Sequence, residues 1–181
     1  MTKNIRLTPK SKEVVAFLDG LHDFITSHPQ YRQMQIKKTE KEIQTEIRPL
    51  IIRYLEDYFV GTGRYKDSIG KAHKSFYWEG QENTHDQVRP PIFAGRAYPD
   101  FLILEPYQIA IEFKKAKNGS VVKDLIGQST VHTWTGNFKF VYGLFHDTSP
   151  DKRILESSNN EQESAILEKL WDESNIYIKF T

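Results

Sequence analysis

Apolar side chains return at helical spacing twice in the first third of the chain. Val14, Val15, Phe17, Leu18, Leu21, Phe24 and Ile25 fall on one face. That stretch is predicted to end near His28-Pro29, because proline stops a helix. A second broad face carries Ile43, Ile47, Leu50, Ile51, Tyr54, Leu55 and Tyr58. Pro49 falls inside it, so either the helix kinks there or two shorter helices meet, since proline removes a backbone donor and clashes with the preceding turn. Residues 61–95 hold glycines, prolines, mixed charge and the aromatic run Phe76, Tyr77 and Trp78. A loop-rich region with one short strand is expected there.

After Pro99 the pattern sharpens. Residues 101–104 and 109–113 are short apolar runs separated by Glu105-Pro106-Tyr107-Gln108, which reads as a turn between adjacent antiparallel strands. Asn118-Gly119 marks another turn, residues 121–132 fit a helix, and residues 138–145 (FKFVYGLF) read as a buried strand. A helix is expected over 161–171, with Ile166, Leu167 and Leu170 to bury, and residues 176–180 alternate as a strand does. The order predicts an α/β fold, a central mixed sheet flanked by helices, in one domain spanning 1–181.

Composition narrows the function classes. Of 181 residues, 25 are Lys or Arg and 24 Asp or Glu, so the net charge is +1 and any polyanion must be met by a local basic face. With no cysteine, disulfides, thiolate zinc sites and a cysteine nucleophile are excluded. No apolar run approaches the ~20 residues that span a bilayer, and the first residues lack the apolar core of a signal peptide, so a cytoplasmic location is expected.

The hairpin carries the candidate chemistry. Along residues 109–114, Ile109, Ile111 and Phe113 share one face while Ala110, Glu112 and Lys114 share the other. A turn at Glu105-Pro106-Tyr107 sets Asp100 opposite the region of Glu112. Two carboxylates held close repel unless a proton or cation sits between them. Magnesium resolves this with one or two carboxylates, waters and a substrate phosphate. It can acidify a bound water and offset charge on the phosphate, while a neighbouring lysine orients or helps deprotonate the attacking water.

Pro99-Asp100, followed about a dozen residues later by Glu112-Phe113-Lys114, resembles the PD-(D/E)xK signature of the restriction-endonuclease-like superfamily, and the element order matches it over most of the chain. The resemblance implies a restriction-endonuclease-like fold and a metal-dependent nuclease. Asp100 and Glu112 would bind Mg2+ (with Mn2+ as a substitute), Lys114 would act on the nucleophile, and the backbone carbonyl of Phe113 would be a further ligand. It also implies an early-helix glutamate, from Glu40, Glu42 or Glu46, with Glu46 preferred as one turn beyond Ile43, and a glutamine after the lysine strand, Gln128. A branch with a Gln-xxx-Tyr arrangement would have tyrosine where this chain has His132. DNA is the expected substrate ahead of RNA, a homodimer would serve double-strand cutting, and restriction, defence or DNA repair are the expected settings. The alternative is a catalytically inactive nucleic-acid-binding or assembly module on the same fold.

Other residues carry weaker signals. Lys114, Lys115, Lys117 and Lys123 could meet phosphates or form a solvated loop, and Arg89 and Arg96 could clamp one. Phe76, Tyr77 and Trp78 either pack in a core or stack on bases. His22, His28, His73, His85, His132 and His146 show no metal spacing and read mostly as surface positions, with His146-Asp147 expected in a turn. Gly63 to Lys71 lacks the spacing and the Ser or Thr of a phosphate loop, and Ser129 lacks the glycines of a nucleophile elbow.

Overall fold

The computed structural model describes residues 9–33, 38–79, 81, 91–92, 95–96, 98–134 and 138–181. The first helical face folds as α1 (Pro9–Ser27) and buries Val14, Phe17, Leu18, Leu21 and Ile25. It stops at His28, and Pro29 opens a short α2 (Pro29–Gln33), where its missing N–H costs nothing. The second face is one unbroken helix, α3 (Glu40–Thr62). Thr39 caps it in a reciprocal capping box with Glu42, and Gly63 ends it in the left-handed conformation at φ 61°. Pro49 sits inside without dividing the helix. Its ring is exposed, while Ile47, Leu50 and Ile51 on either side are buried and hold the helix in place.

The described residues between 61 and 96 hold more regular structure than their composition suggests. Among them are a helix α4 (Ser68–Ser75), a strand β1 (Phe76–Trp78), and the two-residue strands β2 (Pro91–Ile92) and β3 (Gly95–Arg96). Helix α4 lacks an apolar stripe, since Ile69 is exposed and Ala72 is its buried apolar residue. Its signature is the cap instead, with Asp67 accepting from the Gly70 N–H at 2.8 Å.

The hairpin forms as β4 (Phe101–Ile103) and β5 (Ile109–Ala116), with Phe101 opposite Ile111. Next come α5 (Ser120–Trp134), β6 (Phe140–Asp147), α6 (Arg153–Ser157), α7 (Glu161–Ser174) and β7 (Ile176–Phe180). The five-stranded sheet runs β1-β4-β5-β6-β7, antiparallel from β1 to β5 and parallel from β5 to β7. It is therefore a mixed open sheet with helices on both faces. Alternation divides its side chains: Phe101, Ile103, Ile109, Ile111, Phe113, Tyr142 and Leu144 pack with α1 and α3. Leu102, Ala110, Val141, Phe145, Ile176 and Ile178 pack with Leu125 of α5 and Ile154 of α6. No helix among the described residues is long and apolar enough to cross a membrane.

Candidate functional site

Strand β5 is eight residues long and β4 three, so their pairing ends at Ile111. Beyond it the edge of β5 is met by side chains. The Phe113 N–H donates to Asp100 Oδ2 at 2.8 Å, and the Lys115 N–H donates to Glu40 Oε2 at 3.1 Å. These two carboxylates replace the missing strand, which is why they come to this edge. A strand residue's N–H and C=O point the same way. The Phe113 carbonyl therefore shares this edge with Asp100 and Glu40.

Continuing the register one step past Phe101–Ile111 sets Asp100 opposite Glu112. Glu112 points to the α5 face, where it is 3% exposed, and its Oε1 lies 2.6 Å from Nε2 of His132, also 3% exposed. A carboxylate only accepts, so Nε2 carries the hydrogen. Beside Glu112 across the strand is Gly143. A Cβ there would meet Ile178 at 3.1 Å and Leu125 at 3.3 Å, so the bare glycine lets α5 lie close. The Lys114 ammonium is 3.4 Å from Glu40 Oε1.

The electrostatics follow from this crowding. Burial, then the charge of Glu112, pushes the Asp100 carboxyl up to about 7, against the Phe113 hydrogen bond and the Lys114 charge that favour its ionised form. Burial alone would lower the pKa of Lys114, but the carboxylates of Glu40, Asp100 and Glu112 together raise it. Lys114 is thus held as a cation among three acids.

The structure brings Asp100, Glu112, Lys114 and the Phe113 backbone together, with Glu40 as the early-helix glutamate. Glu46, the preferred candidate, is elsewhere: its carboxylate is bound by Lys38 and by Gln30. Six residues of helix turn Glu46 away from the direction of Glu40. Glu42 is used by the cap, accepting from Thr39 N–H and Oγ1. Gln128 is exposed on the flank of α5, whose inward stripe is Leu125, Ser129 and His132. Helical spacing could have placed His132 on that stripe, but its link to Glu112 depends on α5 crossing β5.

The histidine expectation needs correction too. His132 and His146 are buried, the latter with Nδ1 2.9 Å from Thr181 Oγ1 and 3.3 Å from the Tyr31 hydroxyl. Asp147 does hold a turn, accepting from the Ser149, Ile154 and Leu155 N–H groups. Lys115 Nζ donates to the Lys38 carbonyl at 2.5 Å, while Lys117 and Lys123 are exposed. Phe76 is core, and Trp78 is half-buried beneath Arg48. Arg89, His85 and the side chain of Arg96 lie outside the described residues.

Among the described residues, no group of three or more His, Cys, Asp or Glu side chains forms a metal cage. Magnesium seldom needs one, since one or two carboxylates complete its shell with water and phosphate. Asp100 and Glu112 fit that mode, because a cation would offset the repulsion that, together with burial, pushes the Asp100 carboxyl up to about 7. A cavity of ≈ 510 Å3 lies among α5, α6, α7 and β7, lined by Val122, Ile126, Leu167 and Phe180, and carries none of these groups. No protein-family model, no curated protein and no solved structure matches this chain.

Proposed function

We propose that the chain is a metal-dependent phosphodiesterase acting on nucleic acid, with DNA ahead of RNA, on a restriction-endonuclease-like fold. The observation that carries the reading is the open edge of β5, where Asp100, Glu112, Lys114, Glu40 and a backbone carbonyl converge. Three acids around one half-buried lysine have little structural use, since ion pairs of ordinary kind contribute about 0–1 kcal/mol, and burying repelling carboxylates is a cost.

Asp100, Glu112 and the Phe113 carbonyl would hold Mg2+ or Mn2+. The ion would supply a more acidic bound water and offset charge on the phosphate. Lys114, kept protonated by its acidic neighbours, donates hydrogen bonds to a phosphate oxygen or to the attacking water. Glu40 fixes its ammonium. His132 holds Oε1 of Glu112 and so fixes the carboxylate's orientation, while a metal would take the remaining oxygen. A homodimer would give the two centres that double-strand cutting needs, and restriction, defence or DNA repair are the settings proposed.

One observation favours a second reading. His132 already satisfies an oxygen of Glu112, and no three-ligand cage exists among the described residues, as expected of an inactive nucleic-acid-binding module. Labelled DNA and RNA incubated with Mg2+, Mn2+ or chelator separate the two. Cleavage that requires metal and disappears in Asp100→Ala and Lys114→Ala upholds the enzyme. Binding without metal-dependent cleavage upholds the module.

A further inference from the structure

A cavity of ≈ 260 Å3 opens beside Asp100, between α3 and the edge of the sheet. Lys41, Gln44 and Arg48 line one wall, and Trp78, Glu79 and Asp100 line the other. The first three fall at i, i+3 and i+7 on α3, a stripe separate from the buried Ile43, Ile47 and Ile51. The walls thus differ in charge, with cations and an amide on the helix and carboxylates on the sheet.

Arg48 is the unusual member. Its Cζ lies 4.4 Å from the centroid of the Trp78 ring, so the guanidinium plane is held over indole. Its Nε is buried and has no hydrogen-bond partner, and among the described residues no carboxylate pairs with the group. A guanidinium held over a ring with its Nε–H unspent is suited to a planar or tetrahedral oxyanion. Leaving its buried donor without an acceptor is a cost that such a ligand would remove.

We infer that this groove seats the phosphodiester adjoining the one cleaved, with Arg48 as its main contact, Lys41 and Gln44 as supporting contacts, and Trp78 as the platform that orients Arg48. This rests on the phosphodiesterase reading for the identity of the ligand. The charge division sets the order of the phosphates along the groove: the neighbouring phosphate lies against α3, and the scissile phosphate lies at the Asp100 end, where the metal would be held. Glu79 stands on the sheet wall and opposes any phosphate that drifts toward it.

The test is binding, measured apart from cleavage. A fluorescein-labelled DNA duplex is titrated with the full chain in chelator, across a salt series, and followed by anisotropy. Arg48→Ala is expected to weaken binding about tenfold, the scale of one charged hydrogen-bonding contact. It should also flatten the slope of log affinity against log salt by about 0.9, one phosphate contact. Arg48→Lys keeps charge and fold but not the bidentate plane, and should fall between. Glu79→Gln should tighten binding, and Lys169→Ala on remote α7 should change nothing. An RNA duplex of the same sequence reports which sugar is accepted, and a loss with either nucleic acid upholds the contact. Arg48→Ala and Arg48→Lys both matching Lys169→Ala in affinity and slope would overturn it, as would wild-type protein that binds neither duplex. Cleavage by the wild type, assayed separately with metal, judges the enzyme reading: binding lost in Arg48→Ala without any cleavage leaves the groove standing as a backbone-phosphate seat and the enzyme refuted.

Discussion

Replacing Asp100 by asparagine isolates the electrostatic cost on which the site reading depends. The amide oxygen can still accept from the Phe113 N–H, so the edge contact survives while the charge is removed. In the fold the carboxyl is pushed up to about 7 by burial and by Glu112, whereas an unfolded aspartate titrates near 4. The folded state therefore holds this proton more tightly than the unfolded state does. Its contribution to stability is fully present below about pH 4 and is lost as pH rises through about 7. A difference of roughly three pKa units sets a ceiling of about 4 kcal/mol, and the high effective dielectric near a surface reduces it to about 1–3 kcal/mol. In chelator near pH 8, Asp100→Asn should therefore melt about 2–12 °C above the wild type, at ~2–4 °C per kcal/mol for a chain of this size. Near pH 4.5 the gain should shrink to about 1 kcal/mol or less. Melting curves of both proteins at the two pH values measure this, and titrations common to both cancel in the difference. Equal melting temperatures near pH 8, or an advantage unchanged by pH, would refute the crowding of acids at this edge.

The remaining expectations concern the groups around Asp100. Magnesium at ~100 times its Kd should stabilise the wild type by about 2.7 kcal/mol and the Asp100→Asn variant much less, read as a melting shift on adding the ion. His132→Phe leaves a buried Glu112 oxygen unsatisfied and should cost about 1–3 kcal/mol. It should also lower metal affinity ~10–100-fold, the usual effect of losing a ligand's hydrogen-bond partner, measured by Mn2+ titration; His132→Gln should recover part of both. Lys114→Ala should remove metal-dependent cleavage while leaving Mn2+ affinity within about threefold, since one screened charge near the surface contributes about 1 kcal/mol or less. Glu46→Ala and Gln128→Ala should cleave like the wild type, because the first carboxylate is bound to Lys38 and Gln30 and the second side chain is exposed; Glu40→Ala should cleave more slowly.

Local patterning made much of this legible from the chain alone. The spacing of Val14 to Ile25 and of Ile43 to Tyr58 marked α1 and α3, and the apolar runs around Glu105-Pro106 marked the hairpin. Alternation along β5 put Glu112 and Lys114 on one face, and the turn set Asp100 opposite Glu112. These are contacts between near neighbours, which a period of 2 or 3.6 residues and a turn suffice to specify. Where the pattern was weak, as in α4 with its exposed Ile69, the helix went unread because its evidence was one cap.

The choice among Glu40, Glu42 and Glu46 belongs to packing at long range. All three sit on one helix, and which one reaches Lys114 depends on how the start of α3 meets a strand 74 residues later. The same holds for His132 on Glu112 and for Arg48 over Trp78. Each pair is joined by the angle and depth at which a helix crosses the sheet. Those quantities come from the sum of many core contacts, so no short stretch of residues encodes them.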